Sequence, residues 1–358
     1  MAADKGVSGK AIFDFRSDTV TKPTAAMMAA IAEAEVGDAG RGDDPTVNRL
    51  EAVAAKLTGK EDALFVPSGT MGNLVAVLSH VTPGAEIIVE TGAHIYNSEL
   101  ASFAAVAGAM ARPLVGDDGI LDPIKVKAAI KRAGTGNIAP TGLLCLENSH
   151  NSAGGTVTPL DRMAALHAVA KEAGIPVHLD GARLFNAVAF LDCSAADVCR
   201  HADSVMFCVS KGLSAPVGSL VAGDAAFIAK ARSKARMVGG SMRQAGVIAA
   251  AALVALEDPL PGLRRDHRLA QRLAEGLAAI DPNLVRLETV QTNIVNCTLD
   301  RFPACVPTFV AVLKARGILV NQKGATARFV LHRHLDETAI EACLATAEAT
   351  IKSSGRSA

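Results

Sequence analysis

The sequence has no tryptophan, a single tyrosine and no excess of either charge. Lys and Arg together number 36, as do Asp and Glu, so the formal net charge at pH 7 is zero. A chain without net charge has no electrostatic attraction for nucleic acid or for an anionic membrane surface. The scarcity of Trp and Tyr also argues against aromatic platforms on which nucleic-acid bases stack. We therefore expect no nucleic-acid partner.

Long hydrophobic runs are absent as well, although 50% of the residues are hydrophobic. No run approaches the roughly 18 apolar residues of a membrane span, and the alanine-rich residues 247–256 are predicted to form a buried core helix. The first ten residues contain no apolar segment of the kind found in a secretion signal. We therefore expect no membrane partner and no secretion.

The 7 cysteines are odd in number and include no C-x-x-C pair. Cys145, Cys208 and Cys297 lie in apolar, strand-like runs, where a small buried thiol is the ordinary interpretation. Free buried thiols are typical of a reducing compartment, which predicts a cytoplasmic protein.

Two short apolar strands are predicted to end in groups that are costly to bury. One strand ends at Asp180, and the other, over residues 205–209, is followed at once by Lys211. Ligands bind beyond the carboxyl ends of the strands in open α/β sheets, so we expect both groups in one site. An Asp opposite a pyridinium nitrogen and a Lys in imine linkage are what pyridoxal phosphate (PLP) requires of a protein. Taken alone, a lysine such as Lys211 more often simply emerges into solvent where a strand stops.

The sequence blocks around these two residues resemble the signature blocks of the L-threonine aldolases of the low-specificity type. The blocks are His178-Leu-Asp-Gly-Ala-Arg183, Ser210-Lys-Gly-Leu-Ser-Ala-Pro-Val-Gly-Ser219, Gly239-Gly-Ser-Met-Arg-Gln-Ala-Gly246, Asp14-Phe-Arg-Ser-Asp-Thr-Val-Thr21 and Gly42-Asp-Asp-Pro-Thr-Val-Asn48. The resemblance runs from Asp14 to Asp336. It implies an α/β protein of PLP fold type I, in the aspartate aminotransferase superfamily.

This fold class has a large domain with a mainly parallel central sheet flanked by helices, and a small C-terminal α+β domain. The length of 358 residues is sufficient for two domains. We predict an N-terminal arm over residues 1–22, a PLP-binding large domain over 23–257 and a small domain over 258–358, to which the arm contributes. The Pro-rich residues 258–262 are the predicted hinge.

The resemblance implies which residues hold the cofactor. Lys211 would carry PLP as an imine, and Asp180 would keep the ring nitrogen protonated. A strand over 63–67, a small-residue turn and a helix start predict an anion cradle, because free N–H groups and the helix dipole face the anion there. The resemblance places the PLP phosphate at this turn, on Gly69, Thr70 and Met71.

Histidine, serine and arginine residues are implied on the substrate side. His94 would stack on the cofactor ring, and His94 or His150 would take the proton of the substrate hydroxyl. A lone histidine after a strand is more often a satisfied polar residue, and His150 is also typical of a cap for a Gly-rich turn. Ser17, Arg183 and Arg328 would bind the substrate carboxylate. A turn hydroxyl for Ser17 and a salt-bridge partner for Arg183 are the alternatives.

Arg243 matches a family residue that reaches the PLP phosphate of a neighbouring subunit and is counted among the cofactor-binding residues. The match predicts a homodimer or homotetramer with active sites at subunit interfaces.

The sequence departs from the family at Arg41, where Tyr is usual. Arg41 would contact an additional substrate carboxylate, as in 3-hydroxyaspartate, or would point into solvent. Ser241 in place of Gly and Leu331 in place of Thr are two further departures.

The implied function is PLP-dependent retro-aldol cleavage of L-threonine, L-allo-threonine or a related β-hydroxy-α-amino acid into glycine and an aldehyde. The only partner expected besides other subunits is a small-molecule amino-acid substrate, and no metal is implied. A PLP-dependent lyase, racemase or aminotransferase acting on a related amino acid is the alternative among enzymes. A PLP-free binding or structural protein is the alternative from another class.

Overall fold

The computed structural model describes residues 12–132, 134, 137–300 and 306–354, and the chain divides into two compact units. One unit is Lys22–Pro259, and the other is formed by the chain before and after it. The strands are β1 (Phe13–Asp14), β2 (Asp62–Val66), β3 (Glu86–Glu90), β4 (Met110–Leu114), β5 (Thr141–Glu147), β6 (Val177–Asp180), β7 (Ser204–Cys208), β8 (Ser219–Gly223), β9 (Ile294–Thr298), β10 (Ile318–Leu319), β11 (Asn321–Lys323) and β12 (Thr326–Val330).

The α-helices are α1 (Ala25–Ala32), α2 (Pro45–Thr58), α3 (Gly69–His80), α4 (His94–Asn97), α5 (Ser102–Ala105), α6 (Pro123–Ala129), α7 (Leu160–Ala173), α8 (Leu184–Leu191), α9 (Ala195–Cys199), α10 (Ala225–Met237), α11 (Gly246–Glu257), α12 (Leu260–Ile280), α13 (Val306–Ala315) and α14 (Glu337–Ser354). Three short 3₁₀ helices cover Asp18–Val20, Ala39–Arg41 and Leu287–Thr289.

A seven-stranded sheet forms the centre of the larger unit, in the order β2-β8-β7-β6-β5-β3-β4. Strands β3 to β7 pair in parallel, whereas β8 is antiparallel to both of its neighbours, β7 and β2. Strand β2 therefore runs in the same direction as β3 to β7, and the carboxyl ends of six strands share one edge of the sheet. The prediction of a mainly parallel central sheet flanked by helices is confirmed.

The strands of this sheet are apolar because helices cover it. Every residue of β3, β6, β7 and β8 is buried, as expected where a sheet has no solvated face. Strand β4 is not predicted from the sequence, because Pro113 cannot donate to a ladder. Among the described strands it pairs with β3 alone and is therefore an edge strand, which is the position where proline is tolerated.

Lys211 lies in the hairpin loop between β7 and β8. Inside this loop the N–H of Val209 donates to Gly218 O (3.2 Å), Ala215 N donates to Val209 O (3.0 Å) and Ser214 N donates to Lys211 O (2.8 Å). Gly218 has a φ of +109°, and a Cβ at this position would collide with the ring of Phe65. The backbone of the lysine loop is thus fixed by its own hydrogen bonds and by the packing of Gly218.

Helix α11 is the alanine-rich helix predicted as a core element, and most of its residues are buried. Among the described residues no single helix is long and apolar enough to span a membrane. Helices α11 and α12 satisfy the length and composition only as a pair, and that pair is bent by 70°.

The smaller unit has an antiparallel sheet in the order β11-β12-β9 and a parallel pair of β1 with β10. Its core contains the fully buried Phe15, Phe309 and Phe329, and the rings of Phe15 and Phe329 meet edge to face. The prediction of a small α+β body is confirmed. The larger unit ends at Pro259, within the residues 258–262 that were predicted as the boundary. Helix α12 begins at Leu260, so Pro261 lies in its first turn, where a missing N–H costs little.

Asp44 joins three segments of the larger unit. It caps α2, where Oδ1 accepts from Val47 N (2.9 Å), and its Oδ2 accepts from Gly246 N at the start of α11 (2.8 Å). The same Oδ2 also accepts from Gly37 N in the loop that precedes α2 (3.2 Å). Asp44 is fully buried, so water cannot replace these hydrogen bonds.

We predict that Asp44→Ala lowers the free energy of unfolding by about 3 kcal/mol, because two buried N–H groups and one half-buried N–H group lose their acceptor. Asp122 is the matched control: it caps α6 through one hydrogen bond to Ile124 N at 2.8 Å and is only half-buried. Asp122→Ala should cost about 1 kcal/mol. Urea denaturation of both variants measures the difference, and equal losses would contradict the prediction.

Candidate functional site

The carboxyl edge of the larger sheet collects polar side chains from neighbouring strands. Asp180 ends β6 and lies opposite Glu147 at the end of β5, and opposite Met206 of β7 on the other side. Lys211 follows the end of β7 by three residues and is half-buried. The amine and the carboxylate that the sequence singles out therefore leave adjacent parallel strands at the same edge.

Asp180 is 2% exposed, and hydrogen bonds fix both of its oxygens. Oδ2 accepts from Nδ2 of Asn73 at 2.8 Å, and Oδ1 accepts from the N–H of Ala182 at 3.0 Å. Asn73 lies in α3, whose first residues follow β2. The carboxylate is thus held by a helix as well as by its own strand end.

His94 begins the short helix α4 after β3. Its Nδ1 lies 2.9 Å from Oε1 of Glu99, and its backbone N–H donates to Oε2 of Glu147 at 2.6 Å. The hydrogen bond to Glu99 raises the pKa of His94 despite partial burial. One side-chain atom each of His94, Glu99 and Asp180 can be chosen so that all three lie within 4.8 Å of one another. His94 is 32% exposed, so its ring can be reached from solvent.

His150 occupies a different environment. It is 2% exposed, its Nδ1 accepts from Ala153 N at 3.3 Å, and its Nε2 lies 3.1 Å from Oε2 of Glu90. Burial opposes a charge on this ring, but the carboxylates of Glu90 and Glu147 outweigh it and raise the pKa of His150. Nδ1 of His150 therefore accepts a hydrogen bond, whereas its buried Nε2 is in ion-pair contact with Glu90.

Glu90 is the anionic partner in this cluster. Burial opposes its charge, but the contact with His150 and the donors Thr91, Gly92 and Gly116 lower the pKa of Glu90 to about 2. Glu90 and His150 thus form a buried pair: the contact with Glu90 favours the charged ring, whereas the hydrogen bond from Ala153 N, which needs an unprotonated Nδ1, favours the neutral ring.

The predicted phosphate cradle is the start of α3. Gly69, Thr70 and Met71 are its first three residues, and Ser68 caps the helix by accepting from Met71 N at 3.2 Å. A Cβ on Gly69 would lie 2.9 Å from Sγ of Cys208, so a larger residue would displace the helix from β7. The first-turn N–H groups that the cap leaves over are free to bind an anion.

The three predicted site arginines of this unit have partners inside the chain. Arg183 is 7% exposed, and its Nη1 donates to Oδ1 of Asn151 at 2.9 Å. Arg243 Nη1 lies 3.2 Å from Oδ1 of Asp38, and Arg41 Nε lies 3.5 Å from Oδ2 of the same carboxylate. The side chain of Arg41 is 78% exposed.

Two predicted site residues belong to the smaller unit. Ser17 is the N-cap of the 3₁₀ helix over Asp18–Val20, where its Oγ accepts from Thr19 N at 3.2 Å. This is the turn interaction given as its alternative role. Arg328 is half-buried in β12, paired in register with Asn296 of β9 and Asn321 of β11.

Sequence reasoning did not single out Asn73, Glu99 or His178. Asn73 Oδ1 lies 3.1 Å from Nε2 of His178, and its Nδ2 donates to Glu99 as well as to Asp180. One signal was available: His178 and Asp180 are two residues apart on β6 and therefore face the same side of the sheet. No local pattern identifies Asn73 or Glu99, since their partners come from other elements.

Comparison with known proteins agrees with this arrangement. The family model described as beta-eliminating lyase matches residues 14–300, and the chain therefore belongs to the beta-eliminating lyase family. The low-specificity L-threonine aldolase 1 of Arabidopsis thaliana is 41% identical over 90% of this chain and 91% of its own length. The low specificity L-threonine aldolase of Escherichia coli K12 is 40% identical over 87% of this chain and 91% of its own.

Solved structures share the fold at lower identity. The threonine aldolase of Leishmania major superposes with a TM-score of 0.79 at 20% identity, covering 96% of this chain and 99% of that chain. A structure of SPT with PLP superposes with a TM-score of 0.76 at 18% identity, covering 99% of this chain and 92% of that chain. The architecture is that of the PLP enzymes of fold type I.

We predict that Glu90→Gln destabilises the protein in a pH-dependent way. Because Glu90 raises the pKa of His150, the pair stabilises the folded state fully below the unfolded histidine pKa, and this contribution is lost as the pH rises through the folded one. The loss of stability in the variant should therefore be larger at pH 5.5 than at pH 9, as measured by urea denaturation.

The control for this comparison is Glu172→Gln, which removes an exposed ion pair with Lys127. It should change stability little at either pH. A loss that is the same at both pH values for Glu90→Gln would show that His150 is not held as a cation.

Proposed function

We propose that this protein is a PLP-dependent aldolase that cleaves L-threonine, L-allo-threonine or a related β-hydroxy-α-amino acid into glycine and an aldehyde. One observation carries the proposal: a buried carboxylate and a lysine, Asp180 and Lys211, leave adjacent parallel strands at one edge of the sheet. The family match and relatives that are 40% and 41% identical and named as low-specificity L-threonine aldolases support it.

The residues at this edge fit PLP in three respects. Lys211 offers an amine, Asp180 offers a buried carboxylate already oriented by two donors, and the start of α3 offers an anion site that opens with Gly69. When bound, PLP accepts the electron pair that is left when Cα–Cβ breaks, provided that its ring nitrogen is protonated. Asp180 would hold that proton, and Gly69, Thr70 and Met71 would bind the phosphate.

His94 is the proposed base for the substrate hydroxyl. Its Nε2 has no hydrogen-bond partner among the described residues, and its ring is partly exposed. His150, in contrast, is 2% exposed, its Nδ1 accepts from Ala153 N, and its Nε2 lies in ion-pair contact with Glu90. We therefore assign proton transfer to His94, and to His150 the role of holding Glu90 and the loop around it. A positioned base of this kind contributes about 10²–10⁴-fold to rate.

Arg183 is the proposed carboxylate ligand of the larger unit. Its guanidinium lies beyond the end of β6, three residues after Asp180, and Asn151 orients it through one nitrogen. A planar guanidinium presents N–H groups in a fixed geometry that can bind a carboxylate through two parallel hydrogen bonds. Contacts of Ser17 and Arg328 with the substrate carboxylate remain predictions.

The alternative reactions start from the same residues, since a lyase, racemase or aminotransferase also needs Lys211 and Asp180. An acidic substrate such as 3-hydroxyaspartate was suggested by Arg41, but its guanidinium already faces Asp38 within the chain. Within the described part of the chain, no contact favours these alternatives. We also propose a cytoplasmic location and a homodimer or homotetramer as the assembly.

We predict that borohydride reduction of the PLP-loaded protein traps a pyridoxyl adduct on Lys211, located by peptide mass spectrometry. The adduct should be absent from Lys211→Ala. Incubation of the wild type with threonine, allo-threonine and 3-hydroxyaspartate should release glycine and the corresponding aldehyde. Lys211→Ala should lose more than about 10³-fold in kcat, because the amine that holds the cofactor is gone.

Lys230→Ala is the matched control, because Lys230 lies on α10 among exposed residues. It should keep both the adduct and the activity. An adduct on another lysine, or release of pyruvate, ammonia or a keto acid in place of glycine, would contradict the proposal.

We predict that Arg243 acts on the cofactor of a neighbouring subunit. Lys211→Ala and Arg243→Gln should each be inactive alone, but mixed and reassembled they should regain activity in about a quarter of the sites, as random pairing of two chains in a dimer requires. Steady-state assay of the refolded mixture measures this. Absence of recovery would place Arg243 in the site of its own chain.

A further inference from the structure

A continuous chain of side-chain hydrogen bonds leads from the end of α3 to Asp180. His80 Nε2 lies 2.8 Å from Oγ of Ser204, which lies 2.9 Å from Nδ1 of His178. The other nitrogen of His178 lies 3.1 Å from Oδ1 of Asn73, whose Nδ2 donates to Asp180 at 2.8 Å. Ser204, His178, Asn73 and Asp180 are all buried, so water does not compete for these bonds.

The direction of the chain follows from its members. Burial lowers the pKa of His178 to about 3 and that of His80 to about 4, so each ring is neutral at pH 7 and carries one N–H. Asn73 must present its amide nitrogen to the carboxylate and its oxygen to His178, because the reverse would set an oxygen against an anion. His178 then donates from Nε2 and accepts from Ser204, and Ser204 accepts from His80.

Asn73 joins Asp180 to a second buried carboxylate. The same Nδ2 donates to Oε1 of Glu99 at 2.8 Å, so one amide group bridges two acids. Glu99 is 3% exposed, and burial together with the charge of Asp180 raises the pKa of Glu99. The amide of Asn73 thus holds the carboxylates of Glu99 and Asp180 at a fixed separation. Without this shared donor the two anions would repel each other.

Glu99 in turn fixes the tautomer of His94. Its Oε1 accepts from Nδ1 of His94 at 2.9 Å, so the ring proton is on Nδ1 and Nε2 has a lone pair. Glu147 accepts from the backbone N–H of the same residue at 2.6 Å, which fixes the backbone that carries the ring. The remaining charged neighbour of the ring is Asp180.

We propose that Asn73 and Glu99 are positioning residues of the aldol-cleavage site: they hold His94 as its Nδ1–H tautomer and tie this base to Asp180. The inference deepens the proposed function and rests on it. In the reaction the substrate O–H bond breaks and an N–H bond forms at Nε2 of His94. The O–H electron pair becomes the second bond of the aldehyde C=O, and the C–C pair stays with Cα, which takes up a proton to give glycine.

Glu99 would act on this step through His94 alone. Its carboxylate faces the imidazolium that forms when Nε2 gains the proton and stabilises that charge, as an acid behind a catalytic histidine does. Asn73 would hold Glu99 in place through one hydrogen of its amide group, and through the other it would fix the orientation of the Asp180 carboxylate. Glu99 and Asp180 would therefore act on different atoms in the same reaction, and one donor, the amide of Asn73, would hold both of them.

The test is Glu99→Gln in the PLP-loaded protein. The Gln carbonyl can still accept from both His94 and Asn73, so the fold should persist, while the negative charge is lost. We expect kcat to fall by at least about 10-fold with KM within about 3-fold, and the acid limb of the kcat–pH profile to move to lower pH, because the imidazolium loses its anion.

A second readout does not depend on activity. Nitrogen-15 NMR of histidine-labelled protein, with the His94 signals assigned from His94→Gln, reports which ring nitrogen carries the proton. The wild type should show His94 as the Nδ1–H form, and Glu99→Ala should shift it toward the Nε2–H form that free imidazole side chains favour. Glu99→Asp, which keeps the charge, should restore the wild-type pattern in part.

The matched control is Glu51→Gln. Glu51 is also buried, and burial raises its pKa as well, but its partners are Phe65 N at 2.8 Å and Arg232 at 3.0 Å rather than a histidine. It should leave the His94 signals unchanged. The positioning role is overturned if wild-type His94 is the Nε2–H form, or if Glu99→Ala leaves its tautomer unaltered.

The two proposals fail separately. A wild type that releases no glycine from any β-hydroxy amino acid would refute the proposed function, and the NMR comparison would still decide whether Glu99 sets the tautomer. An active wild type whose Glu99→Gln variant keeps its kcat and pH profile would refute only the positioning role.

Discussion

The carboxylate of Asp180 must remain charged while it is almost completely buried, and many of its neighbours serve this requirement. Removing an ion from water costs several kcal/mol unless other dipoles replace the water. Here the backbone N–H of Ala182 and the amide of Asn73 replace it. Asn73 can do so only with its amide nitrogen towards the carboxylate, and His178 supports this orientation by donating from Nε2 to the amide oxygen. Residues of α3, β6 and β7 thus belong to one hydrogen-bond network that ends at the carboxylate of Asp180.

The carboxyl edge of the sheet carries further acids, and each is balanced in a different way. Glu147 accepts two backbone N–H groups, from His94 and Asn151, whereas Glu90 is paired with the His150 ring. Glu99 has Oε1 satisfied twice, but its Oε2 is buried without a hydrogen-bond partner among the described residues. Such an oxygen is the costly exception in a folded protein, and exceptions of this kind concentrate at sites of chemistry.

Much of this architecture was predictable from the sequence because the relevant signals are local. Apolar runs that stop at Asp180 and before Lys211 mark strand ends, and Asp44 followed by Pro45 marks the start of α2. Strand β4 could not be found in this way, since Pro113 is acceptable only because the strand lies at the sheet edge. The environment of His150 was equally hidden, because Glu90 approaches it from a strand 60 residues earlier in the chain. Asn73 was visible as part of a small-residue turn, but its two carboxylate partners were not.

The reversed strand β8 has a consequence for how the lysine is carried. In an all-parallel sheet the segment after β7 would lead into a helix, and that connection could lengthen or shorten freely. Here Val209 and Gly218 are hydrogen-bonded to each other, and both flanks of the loop are held by the same sheet. How far the amine of Lys211 can reach is therefore set by the number of residues in the loop that the Val209–Gly218 hydrogen bond closes. Insertions and deletions, which vary most enzyme loops during evolution, would displace the amine, so this loop can diverge only by substitution.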